Sequence, residues 1–241
     1  PFKGELALEG LKGGGERMAL DFSVVFEDNN FLFLLQGLWV TVKMTFMGLV
    51  LSCCIGLLIG LGQLSSYRII KSFCTAYLAW FRGTPLLVQL MILYYGLAIG
   101  LGVDFTATMA GVIGLGMYSG SYVSEIVRGA IESIDKGQME AGRSLGLSHW
   151  QTMRKVILPQ AVRRMLPTLG NEFIALTKNS SLLSVITVPE VMRAGNSIVS
   201  ENFRYFEIYI VIALMYFAVN LFISFVIRLL ENRLKVGERK A

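Results

Sequence analysis

Three features predict an all-α membrane protein with about five transmembrane helices and one long charged loop among them. Charge is scarce: 16% of the 241 residues are Asp, Glu, Lys or Arg and 54% are apolar. A soluble domain carries about 25% charge, so most of this chain sits in a lipid bilayer. The apolar residues also gather into runs of roughly 20 or more, the length that crosses hydrocarbon as a helix. Backbone groups cannot stay unpaired there, and stretches such as Leu49-Val50-Leu51-Ser52-Cys53-Cys54-Ile55 lack the alternation of a barrel strand. Finally, the basic residues are lopsided. With five spans, fourteen Lys and Arg fall on one side and five on the other, while Lys43, Arg82 and Lys178 lie within spans. By the positive-inside rule the N-terminus is outside and the C-terminus cytoplasmic. The net charge of +5 is read as this topology, not as a nucleic-acid surface.

Residues 1–36 read as an N-terminal extension and outer segment. Pro1–Asp21 lacks the apolar core of a signal peptide. Met18-Ala19-Leu20-Asp21 reads as a plausible natural start, with Pro1–Arg17 then an extension or a misplaced start. Phe22–Leu35 reads as a helix lying in the outer interface, with a turn at Asp28-Asn29-Asn30. The spans follow over Gly37–Gln63, Phe73–Gly100, Thr106–Ile131, Leu166–Val188 and Tyr205–Leu230. Residues 37–231 thus form one transmembrane domain and residues 232–241 a cytoplasmic tail. Gly48, Gly56, Gly60 and Gly62 recur at helical intervals in the first span and predict close helix packing. Arg82-Gly83-Thr84-Pro85 interrupts the second span, because proline removes a donor and kinks a helix. The freed carbonyls and the Arg82 charge must face protein or water. Gln89 lies about two turns beyond Arg82 on nearly the same face. The group reads as a packing or gating element, with ligand contact as the alternative.

The loop over residues 132–159 parses as two short helices. Asp135 is a good N-cap, with Gln138 at the capping-box position. That helix runs to Leu145, and Gly146 can take the left-handed stop. Ser148 caps the second helix, with Gln151 three residues on, and the helix ends before Pro159. Ala141, Gly142 and Gly146 remove bulk while Glu140 and Arg143 add charge. The result describes a knob shaped for a groove on a soluble partner, whereas a solvated turn would need neither. His149, the only histidine, reads as structural.

No Gly-Lys pair exists, so there is no phosphate-cradling loop of the P-loop type. One histidine and three cysteines in apolar context (Cys53, Cys54, Cys74) offer neither a metal cluster nor a nucleophile triad. No catalytic, cofactor or metal residues are assigned, and any ATP the system uses is hydrolysed by another chain. The polar residues inside spans are more telling. Glu125 and Arg128 are three apart and predict an intrahelical ion pair. Asn171, Ala175 and Lys178 share a face, with Glu172 one step round. Four consecutive polar residues, Lys178-Asn179-Ser180-Ser181, must line a cavity or a helix break. Glu125, Asn171, Glu172, Lys178 and Asn179 are therefore candidates for a solute path, with interhelical pairing as the alternative.

Several of these motifs match one family in order. Glu140-Ala141-Gly142-Arg143-Ser144-Leu145-Gly146, followed by Leu158-Pro159, resembles the EAA loop of ABC importer permeases, with Gly142 in place of the second Ala. Arg82-Gly83-Thr84-Pro85-Leu86-Leu87-Val88-Gln89 and Tyr122–Gly129 resemble the polar-amino-acid subfamily. So do Lys136-Gly137-Gln138, Asn171-Glu172-Phe173, Lys178–Leu182 and Val188-Pro189-Glu190, with Ser121 replacing a common Ala. The resemblance runs from about Gly37 to the C-terminus. It implies the permease subunit of an ATP-driven importer in a bacterial inner membrane, carrying a polar or charged amino acid. The loop would be a cytoplasmic coupling helix in which Gln138 and Glu140 to Gly146 meet the ATPase. The implied partners are a nucleotide-binding ATPase dimer that holds ATP and Mg, a second permease (the same or a sister chain), and an extracytoplasmic amino acid-binding protein. A secondary amino acid transporter is the competing class; the absence of a visible inverted repeat argues against it.

Overall fold

The fold is built on a seam between two parallel helices, α1 (Asn30–Gln63) and α4 (Ala107–Glu132). Gly48 faces Leu115, Gly56 faces Val123 and Gly60 faces Val127, each partner lying 67 residues further on. A constant offset means that the two helices run in the same direction, in step. The approach is close enough that a Cβ on Gly56 would come within 2.4 Å of Val123 Cγ1. Gly116 and Gly120 of α4 receive Leu51 and Ile55 in return. Without water to drive apolar burial, such small-residue contacts are what holds membrane helices together. The packing expected of the glycine stripe is therefore present, except that Gly62 meets Cys74 of the next helix.

The computed structural model describes residues 20–235. The extension Pro1–Arg17, the start at Met18 and the tail from Val236 lie outside the described residues. The outer segment departs from the expected interfacial helix. Phe22–Val25 and Glu27–Asn29 are short 3-10 turns, and α1 starts at Asn30 in direct continuation of the span. The expected turn is there, since Asp28 and Asn29 both have positive φ, 45° and 62°. Val24 and Val25 are buried with Val191, Ala194, Ile208 and Ile212 instead of lying in lipid.

The second span is two helices, not one kinked one. α2 (Arg68–Gly83) and α3 (Leu86–Leu101) meet at 104°. Tyr77 of α2 donates its hydroxyl to the Met117 carbonyl of α4, and Leu86 and Leu90 of α3 join Leu115, Leu176 and Leu183 in a buried cluster. α4 begins where expected, with the Thr106 hydroxyl accepting from the Met109 N–H.

The loop helices are α5 (Lys136–Ser144) and α6 (His149–Thr152). The second does not end before Pro159. It passes through a π turn at Met153–Ile157 straight into α7 (Leu158–Asn179), with Pro159 in the first turn of α7, where a missing donor is tolerated. α7 then stops short of the expected span end, and Ser180–Ile186 tightens into a 3-10 helix. The polar run Lys178–Ser181 thus sits at a change of helix type. A further helix, α8 (Val191–Asn202), was not anticipated; its twelve residues are too short for a span. Glu190 caps it, its carboxylate accepting from the Met192 and Arg193 N–H groups at 2.9 and 2.8 Å and from the Tyr216 hydroxyl at 3.1 Å. Glu190 is 0% exposed, and burial pushes its carboxyl up to about 7.

α9 (Tyr205–Lys235) closes the fold. By length and apolarity alone, Glu27–Gln63 and Tyr205–Arg233 each qualify to cross a membrane, and the bent α2–α3 pair adds a third if taken as one span. α4 and α7, at 26 and 22 residues, are long enough but carry the polar residues that lower their hydropathy. The chain is an all-helical membrane protein, with no strand among the described residues.

Candidate functional site

The break between α2 and α3 creates the first part of the site. Thr84 is extended (φ −125°, ψ 146°) because Pro85 excludes it from the helical region. The end of α2 is left with unpaired carbonyls. Gln89, 4% exposed, returns to supply the donor. Its side-chain amide donates to the Phe81 carbonyl at 3.1 Å, the Thr84 carbonyl at 3.2 Å and the Thr84 hydroxyl at 2.8 Å. Gly83 has open space around it. Gln89 is thus a staple for the break, and its amide N–H groups are committed to protein carbonyls.

The break aims Arg82 at α4. Its guanidinium lies 3.7 Å from Glu125 and 5.5 Å above the Tyr122 ring. The predicted Glu125–Arg128 pair forms at 2.9 Å, and Arg128 also reaches Glu132 at 2.7 Å. Glu125 is therefore shared by two cations. One turn further along α4, Tyr122 and Tyr118 are linked through their hydroxyls at 3.2 Å. Next to Tyr118, the Ser119 hydroxyl donates to Glu172 of α7 at 2.8 Å. The result is a polar row along α4 that brings together Arg82, Glu125 and Glu172 from three helices. Residues in such a row supply both acceptors and donors.

Other candidates do not join it. Asn171 and Lys178 are exposed, and among the described residues neither they nor Asn179 makes a side-chain hydrogen bond or ion pair. The alternative Glu172–Lys178 pair is not among the ion pairs of the described residues. Tyr118, Ser119 and Tyr122 were missed as site residues. A usable signal existed: Tyr118, Tyr122 and Glu125 fall at i, i+4 and i+7, one face of a helix.

The loop forms a second feature. Asp135 caps α5 as expected, accepting from the Gly137 N–H at 2.7 Å. Gln138, however, does not close a capping box, because its carbonyl oxygen accepts from Gln160 of α7 at 3.2 Å. The helix stop is complete: Gly146 has φ +82°, its N–H donates to the Arg143 carbonyl, and the Leu147 N–H donates to the Gly142 carbonyl. Ser148 and Gln151 form the full capping box. Gly142 is buried, and a Cβ there would lie 2.4 Å from Thr152 Cγ2. The departure from Ala at this position lets α5 seat on α6. Glu140, Ala141, Arg143, Ser144 and Gly146 stay exposed, and so do Leu145 (83%) and Trp150 (60%). This capped helix pair thus leaves a leucine and a tryptophan bare beside charged residues.

A polar row shared by the helices of a membrane bundle, with a capped helix pair in one loop, fits a membrane transport subunit. The chain belongs to the family of binding-protein-dependent transport system inner membrane components, whose pattern matches residues 52–236. The glutamine transport system permease protein GlnP of Escherichia coli (strain K12) is 42% identical over 207 residues, 84% of this chain and 93% of its own length. A chain from the crystal structure of an amino acid ABC transporter with histidines superposes with a TM-score of 0.83 at 42% identity, covering 90% of this chain and 100% of that one. A chain of the inward-facing MetNI methionine ABC transporter shares the fold, with a TM-score of 0.72 at 19% identity over 86% of this chain and 99% of that one. The protein is thus a multi-pass inner-membrane permease subunit of an ABC importer. It works with an ATPase that is a separate subunit and with a binding protein.

Proposed function

We propose that this permease moves a polar or charged amino acid into the cytoplasm, and that the row along α4 is its path. The observation that carries the reading is the arrangement of Arg82, Glu125 and Glu172 around Tyr118, Ser119 and Tyr122. An amino acid zwitterion needs acceptors for its ammonium and donors for its carboxylate, and charged groups at membrane depth are costly unless paired or hydrated. Lys178 and Asn179, where α7 gives way to the 3-10 helix, and Asn171, eight residues before that change, are assigned to the path from the sequence pattern and stand apart from the row. The names of the relatives support an amino acid as the solute. In this reading Arg82, Gly83, Thr84, Pro85 and Gln89 hold the gate. Gln138 and Glu140 to Gly146 dock on the ATPase, which binds the ATP and Mg; this chain contributes no catalytic site. The N-terminus is outside and the C-terminus cytoplasmic, and two permeases, identical or sister chains, form the pore. ATP drives transport only through its differential affinity for the inward- and outward-facing states.

The test is uptake by the complete complex in proteoliposomes, with labelled amino acids competed against one another. Glu172→Gln is expected to change which amino acid is preferred, or how strongly it stimulates hydrolysis, with nearly the wild-type amount of assembled complex. Poor assembly with unchanged selectivity would remove Glu172 from the path.

A further inference from the structure

α7 makes two polar contacts at the cytoplasmic loop, through Gln160 and Arg164. Arg164 donates its guanidinium to the Ser133 carbonyl and, at 3.1 Å, to the Ser133 hydroxyl. Ser133 is the C-cap of α4, so a cation meets the negative end of a helix dipole and an unpaired terminal carbonyl at once. Gln160, one turn earlier on the same face of α7, donates to Gln138 of α5 at 3.2 Å and to its own Val156 carbonyl at 2.9 Å. The connection between α4 and α5 is only Ser133–Asp135. One face of α7 therefore grips the chain on both sides of that connection. Beneath the grip, Ala161 and Met165 are buried with Ile131, Ile134 and Ile157. Eight residues further along α7, about 12 Å at the rise of a helix, Glu172 is tied to Ser119 of the same α4. α4 and α7 are thus fastened to one another at two heights, and α5 is fastened to α7 at the lower one.

We propose that Gln160 and Arg164 are positioning residues that lock α5 to the α4–α7 pair, so that a displacement of α5 reaches Glu125 and Glu172 as one rigid movement. The inference rests on the reading of α5 as the coupling helix. Neither residue is among those assigned to the path or to the docking surface; Gln160 holds Gln138, which is, and both act through what they hold. Without them, α5 pivots on the short connection at Ser133–Asp135 and the push from the ATPase is absorbed there.

The experiment uses the whole complex of permease, ATPase and binding protein in proteoliposomes. It reads three quantities: ATPase subunit retained on purification, basal hydrolysis, and hydrolysis stimulated by amino-acid-loaded binding protein. The double variant Gln160→Leu, Arg164→Gln is expected to keep the first two near wild type. Its stimulation should fall by about tenfold, the scale of losing one or two hydrogen bonds. Arg164→Lys, which keeps a cation able to reach the Ser133 carbonyl, should restore most of the stimulation. Unchanged stimulation in the double variant overturns the proposal. So does a parallel loss of basal and stimulated hydrolysis, or of assembled complex, in both the double variant and the milder Gln160→Leu alone, because that is what a purely structural contact does. A wild-type complex whose ATPase subunit binds but is not stimulated would instead bring down the coupling reading on which the proposal stands.

Discussion

Two proline joints in this chain have opposite outcomes. At Pro85 the chain bends by 104° between α2 and α3; at Pro159 it runs on from the loop into α7 without a break. The residue before each proline marks the difference. Thr84 is extended, as the proline ring prefers. Leu158 stays helical at φ −58°, ψ −42°, and its N–H donates five residues back to the Met153 carbonyl. A π turn makes room for the ring at Pro159. At Pro85 no such turn forms, and Gln89 compensates from the side. Each proline removes a donor and crowds the residue before it, and the outcome depends on whether the helix makes room for the ring or a side chain supplies the donor.

The largest effect is expected from Gln89→Leu, which keeps the bulk and removes the donors. The Phe81 and Thr84 carbonyls would lose their side-chain partner, at about 1–3 kcal/mol for each buried group left unpaired. We expect a lower thermal midpoint and less assembled complex in detergent; a wild-type midpoint would mean that the break holds itself. Next in size is Gly146→Val, beside the second joint. A β-branched residue at φ +82° costs roughly 1–2 kcal/mol. The protein should insert normally while co-purification of the ATPase subunit falls, and full retention would exclude the helix stop from docking.

At a third joint, between the 3-10 helix and α8, a carboxylate supplies the cap. Glu190 has its folded value raised to about 7 from an ordinary 4.5 by burial. The folded state therefore holds the proton more tightly than the unfolded one. The stability that this group contributes is full below about 4.5 and is lost as pH rises through 7. Thermal midpoints measured between pH 4.5 and 8 should fall with rising pH in the wild type, and should fall less in Glu190→Gln. Identical slopes would show that Glu190 is not the titrating group. The smallest effect is expected from Pro159→Ala. Restoring the N–H in a first turn satisfies nothing that was buried and unpaired, so the thermal midpoint should move little; a large drop would show that the ring itself holds the π turn.

The sequence determined the membrane class, the order of the long helices, the start of α4 at Thr106, the caps at Asp135 and Ser148 and the stop at Gly146. All of these depend on local composition or on bonds within a few residues. It also identified Glu125–Arg128, an i, i+3 pair on one helix. Tertiary structure decided the rest. Arg82 reaches Glu125 only because the α2–α3 break turns it toward α4. Gln138 leaves its capping box because Gln160 is within reach. Gly142 replaces Ala because Thr152 lies against it, and Glu172 bonds to Ser119 instead of Lys178 because α7 packs on α4. Those partners are 22 to 53 residues apart or lie on different helices, and no periodicity records which faces meet. Helix formation in lipid follows from each segment's own backbone. Which polar groups share a partner follows from packing, which only the folded chain sets.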